Sequence, residues 1–205
     1  AGAGVYIPVR GPLGATVLDV DLVREKIGPL LADERTEKIG QNLKYDLTVL
    51  TNAGFTLGGS AFDTMIAAHV LDATRLTYKL DALAAEFLSH RCIPIEDVIG
   101  RGRNQISMAA APIEAVAVYS AEDAEVAFRL AGALKSLLDR EGLMSLMTDL
   151  EMPLMPVLAG MEQAGIRVDP DRLRAMESKL SKKADQLREK ILDSAGEPFN
   201  PDSPR

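Results

Sequence analysis

Lys38-Ile39-Gly40-Gln41-Asn42-Leu43-Lys44-Tyr45-Asp46-Leu47-Thr48-Val49-Leu50-Thr51-Asn52-Ala53-Gly54 reads as a short strand running into a helix. The strand covers Lys38 to Gln41. Asn42 stands in the capping position, Leu43, Leu47 and Leu50 step by three or four along one face, and Gly54 ends the helix after Ala53. The pattern then repeats, with a β-prone run over Leu57 to Phe62 and Asp63 placed to cap a helix from Thr64 to Leu71. Strands alternating with helices predict an α/β layered domain.

Working outward, Val5 to Val9 is a further β-prone run, and Asp19 to Asp33 reads as a helix with Val23, Ile27, Leu30 and Leu31 on one face, blemished by Pro29. Downstream, Lys79 to His90 predicts a helix with Leu80, Leu83, Phe87 and Leu88 facing inward, and Ile93 to Gln105 a loop carrying Arg101-Gly102-Arg103. Pro112 opens the strongest helix, which runs to about Arg140 and stops before Gly142. Near Asp149 the texture changes. Glu151 to Pro156 begins a helix that holds two prolines, and Gly165 to Val168 reads as a turn and short strand. Asp169-Pro170 then caps a long amphipathic helix on which Leu173, Met176, Leu180, Ala184, Leu187 and Ile191 form one stripe and Arg172 to Lys190 a basic face. The expected domain boundary lies near residue 145, dividing 1–145 from 146–205.

Hydrophobic residues at 47% and charged ones at 26% fit a globular chain able to bury a core. No run approaches the uncharged apolar length of a membrane helix, and Ala1 to Arg10 lacks the pattern of a secretory signal, so no membrane partner is expected. Cys92, the single cysteine, excludes an internal disulfide and suits a reducing cytoplasm. A net charge of −7 argues against gripping nucleic acid by bulk electrostatics, yet allows a nuclease that meets phosphate through bound cations.

Two acids stand where a structural sequence would place apolar residues. Val116, Tyr119, Asp123, Ala127, Leu130 and Leu134 share one helical stripe, with Tyr119 and Asp123 a turn apart. Asp46 sits in the same way between Leu43 and Leu50. A buried aspartate is costly unless paired or bound to a metal. Each can half-face solvent or pair with an arginine, since structural carboxylates outnumber catalytic ones. Alternatively, two carboxylates and a tyrosine suit metal-assisted phosphodiester hydrolysis, the acids holding divalent cations and the hydroxyl orienting the attacking water.

Those residues also carry a resemblance. Gly40 to Asp46 resembles the second exonuclease motif of the bacterial DNA polymerase I family (family A), and Tyr119-Ser120-Ala121-Glu122-Asp123 its third motif in the tyrosine form. Ala61 to Met65 and Leu80 to Ala84 are similar to the connecting segments. Leu150 to Asp169, and Phe199-Asn200-Pro201 after it, resemble the passage into the polymerase domain. The match is collinear over nearly the whole chain.

The resemblance implies a ribonuclease-H-like 3′→5′ exonuclease domain followed by an all-helical start of a polymerase domain. It implies Asp46 and Asp123 as metal-site carboxylates for Mg2+ or Mn2+, Tyr119 as the residue that positions water, and Asn42 beside a single-stranded DNA 3′ end. Primer-template DNA and deoxynucleotides are the implied partners of the intact protein. The family's first motif, Asp-x-Glu on the first strand, has no counterpart here. Asp149-Leu150-Glu151 lies at the start of the next domain, and Asp19-Val20-Asp21 has the wrong last residue. The expectation is therefore a fragment that is inactive alone, truncated before its third strand, with Tyr6 to Val9 detached or paired with a second copy through unpaired strand edges. A catalytically silent scaffold that positions DNA or braces the polymerase is the alternative reading. A free-standing ribonuclease of the same superfamily is disfavoured by the polymerase-like stretch from Glu151 to Asp169.

Weaker signals complete the reading. Gly100-Arg101-Gly102-Arg103 lacks the Gly-Lys-Ser/Thr of a phosphate loop and is expected to be a solvated basic loop, with Arg101 and Arg103 able to touch DNA backbone. His69 and His90 are expected to be ordinary helix residues, and Cys92 an inert thiol.

Overall fold

The computed structural model describes residues 4–59, 61–196 and 199–201. The chain divides into two compact units, Ala1–Gln163 and Ala164–Arg205.

The first unit is organised on a minimal strand–helix–strand crossover. Strand β1 (Lys38–Gly40) and strand β2 (Ala61–Asp63) pair in parallel, with Lys38 opposite Ala61, Ile39 opposite Phe62 and Gly40 opposite Asp63. Parallel neighbours need a crossover, which here contains helix α2 (Leu43–Asn52). Before it lies α1 (Val20–Ala32), capped by the Asp19 carboxylate, which accepts from the N–H groups of Asp21 and Leu22. The helix continues through Pro29. Val23, Ile27 and Leu31 are half-buried, but Leu30 is exposed, so only three of the four expected positions face inward.

Behind the strands, α3 (Thr64–Leu71) and α4 (Leu80–Leu88) pack on α6 (Ile113–Arg140), which also meets β1 and the short α5 (Ile95–Ile99). Val126, Leu130, Leu134 and Leu138 of α6 are completely buried with Leu83 of α4 and the nearly buried Phe62 of β2. Each such side chain contributes roughly 1.5–3 kcal/mol of hydrophobic stabilisation. The core continues into α7 (Met144–Leu146), a π-helical turn (Met147–Glu151) and α8 (Met152–Ala164), through Met147, Met152 and Met155. The π turn has a local cause. Pro153 has no N–H for the carbonyl of Asp149, and its ring crowds that carbonyl, so the backbone widens there.

In the second unit, α9 (Pro170–Ala195) is capped by Asp169 and ends at Gly196, where φ is +72°. Its apolar stripe is exposed throughout. Among the described residues, no helix is long and apolar enough to cross a membrane.

Several sequence expectations are corrected. Val5 to Val9 forms no strand among the described residues. Pro8 removes a ladder donor, the N–H of Leu18 bonds back to the Pro8 carbonyl at 2.8 Å, and Gly4 passes so close to α6 that a Cβ there would lie 2.7 Å from the Ala121 Cβ. The second strand begins at Ala61, not Leu57, because the Gly58 and Gly59 backbones press against Ala32 and Glu34. The segment 93–105 is not one loop but contains α5 and a 3-10 turn over Gly102–Asn104. Gly165 to Val168 is irregular and not a strand, and His90 lies beyond the end of α4.

Candidate functional site

The site begins at the C-terminal ends of the two strands. A Cβ on Gly40 would lie 2.5 Å from Cδ2 of the buried Leu43, which would have to shift to admit it. The same Cβ position lies 3.8 Å from Oδ2 of Asp46, so the Asp46 carboxylate hangs over the end of β1. The Thr64 hydroxyl donates to the Gly40 carbonyl at 3.1 Å, and the Gln41 side-chain amide donates to the Tyr78 carbonyl at 2.7 Å. These bonds hold the turn that leads from β1 into α2.

Asn42 does not cap α2 as expected. Its backbone is left-handed, with φ of 61°, and its side chain makes no capping bond. The cap comes from Asp63, across the sheet. Its carboxylate accepts from the N–H groups of Asn42 at 3.1 Å and Leu43 at 2.7 Å, and from those of Met65 at 2.8 Å and Ile66 at 3.4 Å. One carboxylate thus caps α2 and α3 together, where both helix dipoles favour negative charge. Asp63 is 1% exposed, and burial drives its pKa upward against the pull of the four N–H donors.

Asp46 keeps much of its surface open, so it rims the helix stripe and is not inside it. Its carboxylate end nonetheless stands among protein atoms. Burial and then the charge of Asp63 push its pKa up. On α6, Tyr119 and Asp123 are half-buried one turn apart, near enough for each to shift the pKa of the other. Burial first, and then the Asp123 charge, hold the Tyr119 phenol up at about 12, while burial pushes the Asp123 pKa up as well. Both residues line a cleft of about 530 Å³ with Leu80, Asp81, Arg91 and Cys92. The structure therefore joins Tyr119 to Asp123 and sets Asp46 beside Asp63. Among the described residues, neither Asp46 nor Asp123 forms an ion pair with arginine or lysine. That removes the arginine pairing, and each is an oxygen donor of the kind a hard divalent cation takes, Asp123 on the cleft and Asp46 at the end of β1 beside Asp63.

Arg101 and Arg103 are exposed on the 3-10 turn. His69 lies on α3 with its ring edge against Tyr78, an ordinary packing contact. His90 is not the ordinary helix residue expected. Its Nε2 lies 2.9 Å from Oε1 of Glu122, and Cys92 joins them, the three ligand atoms lying within 4.8 Å of one another. Burial, with Glu122, Asp123 and Asp81 nearby, raises the Cys92 thiol above its usual range.

A parallel strand pair with carboxylates at its C-terminal end, packed on a helix that carries Tyr119 and Asp123 one turn apart, is an arrangement consistent with the ribonuclease-H-like α/β fold. The chain belongs to the 3′→5′ exonuclease family, which it matches over residues 3–139. Nucleases of this family work with divalent metals. The chain is 39% identical to DNA polymerase I of Pseudomonas aeruginosa over 209 aligned positions, which cover 100% of this chain and 23% of that protein. It is 41% identical to DNA polymerase I of Rhizobium leguminosarum, over 88% of this chain and 18% of that one. The chain thus spans about a fifth of the curated relatives it matches. Among solved structures it is similar to the POL domain of Pol1 from M. smegmatis in complex with DNA primer-template and dNTP, with a TM-score of 0.69, 25% identity, and coverage of 93% of this chain and 30% of that one. It shares its fold with NrnC of Brucella melitensis bound to pGG, with a TM-score of 0.56, 24% identity, and coverage of 75% and 68%.

Proposed function

We propose that this chain is the proofreading portion of a family A DNA polymerase, removing mispaired 3′-terminal nucleotides from single-stranded DNA ends by two-metal hydrolysis. The observation that carries the reading is the Tyr119–Asp123 pair facing a cleft, together with an Asp46 carboxylate that forms no ion pair with lysine or arginine among the described residues. Asp46 and Asp123 would hold Mg2+ or Mn2+, which supplies activation of water and stabilisation of the leaving oxygen when bound. Tyr119 presents its hydroxyl beside Asp123 and can orient the attacking water. In this reading Asn42 lies beside the single-stranded 3′ end and Arg101 and Arg103 contact phosphates, which the exposure of all three supports.

Residues 1–145 are the exonuclease domain in this reading, and 146–205 begin the polymerase domain. The family match ending at residue 139 supports that division. Primer-template DNA and deoxynucleotides are then partners of the intact protein, working in the cytoplasm in replication and repair. The 205 residues alone supply only part of a two-metal cage and do not degrade DNA. Self-association through the outer edges of the β1–β2 pair belongs to the same reading, since Val5 to Val9 offers no strand, and a single monomer species in sedimentation overturns that point.

The test uses the polymerase-length protein. Asp46→Asn and Asp123→Asn should each slow degradation of a labelled single-stranded oligonucleotide by more than about a hundredfold, while Tyr119→Phe slows it by about 10–100-fold, as for a group that orients without ligating. Nucleotide incorporation should be unchanged. Near-normal degradation by both Asp variants overturns the assignment, and a wild-type protein that never degrades DNA identifies the domain as a scaffold.

A further inference from the structure

We infer that His90, Cys92 and Glu122 form a second metal site, selective for zinc or a similar thiophilic divalent cation and separate from the Asp46 and Asp123 carboxylates. The ligand atoms come from two places. His90 and Cys92 lie on the connection between α4 and α5, and Glu122 lies on α6, 32 residues from the histidine. His90 Nε2, Cys92 Sγ and a Glu122 oxygen lie within 4.8 Å of one another, close enough for small rotations to bring all three onto one ion with bonds of about 2.0–2.3 Å.

The supporting shell is already built. Oε2 of Glu122 accepts the backbone N–H of Ile93 at 2.7 Å, which fixes the carboxylate and leaves Oε1 facing His90 at 2.9 Å. An ion at this point takes the place of the hydrogen bond between imidazole and carboxylate. Cys92 also lines the cleft of about 530 Å³, which gives the ion a path from solvent and water a place in the fourth position. Imidazole and thiolate ligands favour zinc and disfavour magnesium, so the two sites divide metals by chemistry. Bound zinc ties the α4–α5 connection to α6 one turn from Tyr119 and next to Asp123. It thereby stiffens the wall of the cleft. The inference does not rest on the nuclease reading.

The experiment titrates the 205-residue chain with Zn2+, and with Co2+ as a spectroscopic probe, in the presence of excess Mg2+. One metal per chain is expected, with a thiolate-to-cobalt charge-transfer band that Mg2+ does not displace. Because Cys92 is the only cysteine, the band reports this position alone. Cys92→Ser should abolish it, and His90→Ala and Glu122→Gln should each weaken binding by at least about tenfold, with circular dichroism confirming that the variants are folded. Absence of the band at stoichiometric cobalt overturns the inference. So does one metal per two chains, which marks bridging between molecules, or unchanged affinity in the folded His90 and Glu122 variants.

Discussion

The Asp63 carboxylate accepts the backbone N–H of Leu43 at 2.7 Å, across the two-stranded sheet and 20 residues away in sequence. It makes the parallel register and the start of α2 a single cooperative feature, because Asp63 is also opposite Gly40 in that register.

Asp63→Ala should destabilise the first unit by about 2–4 kcal/mol. Two helix caps are lost at roughly 1 kcal/mol each, and buried N–H groups are left unpaired. Asp63→Asn should cost less, since its amide oxygen still accepts from part of the set. Urea unfolding checks this, and a loss below about 1 kcal/mol for Asp63→Ala would show that water replaces the carboxylate.

Gly40→Ala places a Cβ against Leu43 and near Asp46. Overpacking of this kind costs about 1–3 kcal/mol. Because the clash is with one side chain, Gly40→Ala combined with Leu43→Ala should lose less than the sum of the two single changes. Strict additivity in thermal unfolding would contradict the geometry.

Tyr119 sets an alkaline signature. Its phenol is held up at about 12 against an ordinary 10.0, so the folded chain keeps this proton more tightly than the unfolded chain does. The resulting stability is fully present below the ordinary value and is lost as pH rises through about 12. Phenolate absorbance of the wild type should show a late-titrating component that Tyr119→Phe removes. Superimposable curves per remaining tyrosine would refute the burial of that hydroxyl.

Leu134 and Leu180 occupy similar stripes with different fates. Leu134 is completely buried in the α6 core, whereas Leu180 on α9 is 61% exposed. Leu134→Ala should therefore cost about 2–5 kcal/mol, and Leu180→Ala no more than about 0.5 kcal/mol. Equal losses in denaturant titrations of this chain would mean that the α9 stripe is covered in solution.

What could be read along the chain was what depends on neighbours within a turn or two. Asp19, Asp63 and Asp169 cap the helices that follow them because an acceptor two or three residues ahead of free N–H groups needs no distant partner. Tyr119 and Asp123 were legible as a pair for the same reason, being one turn apart on one helix. Local spacing also predicted α6 almost to its last residue. It misjudged Val5 to Val9, whose β propensity is only realised when a neighbouring strand supplies hydrogen bonds.

Tertiary structure alone decided the rest, because it depends on which distant segments meet. The sequence determined that Asp63 caps α3, and only the parallel register turned its other oxygen toward α2 and relieved Asn42 of that task. The sequence determined that Asp46 stands among leucines, and only the packing placed its carboxylate at the end of β1 beside Asp63, without a lysine or arginine partner among the described residues. His90 and Glu122 carry no common signal in the sequence, since the 32 residues between them follow no helical or strand period. They meet because α4 packs on α6, a contact set by the volume and shape of Leu83, Val126 and Leu130, and complementarity of shape is a property of surfaces brought together and not of spacing along a chain.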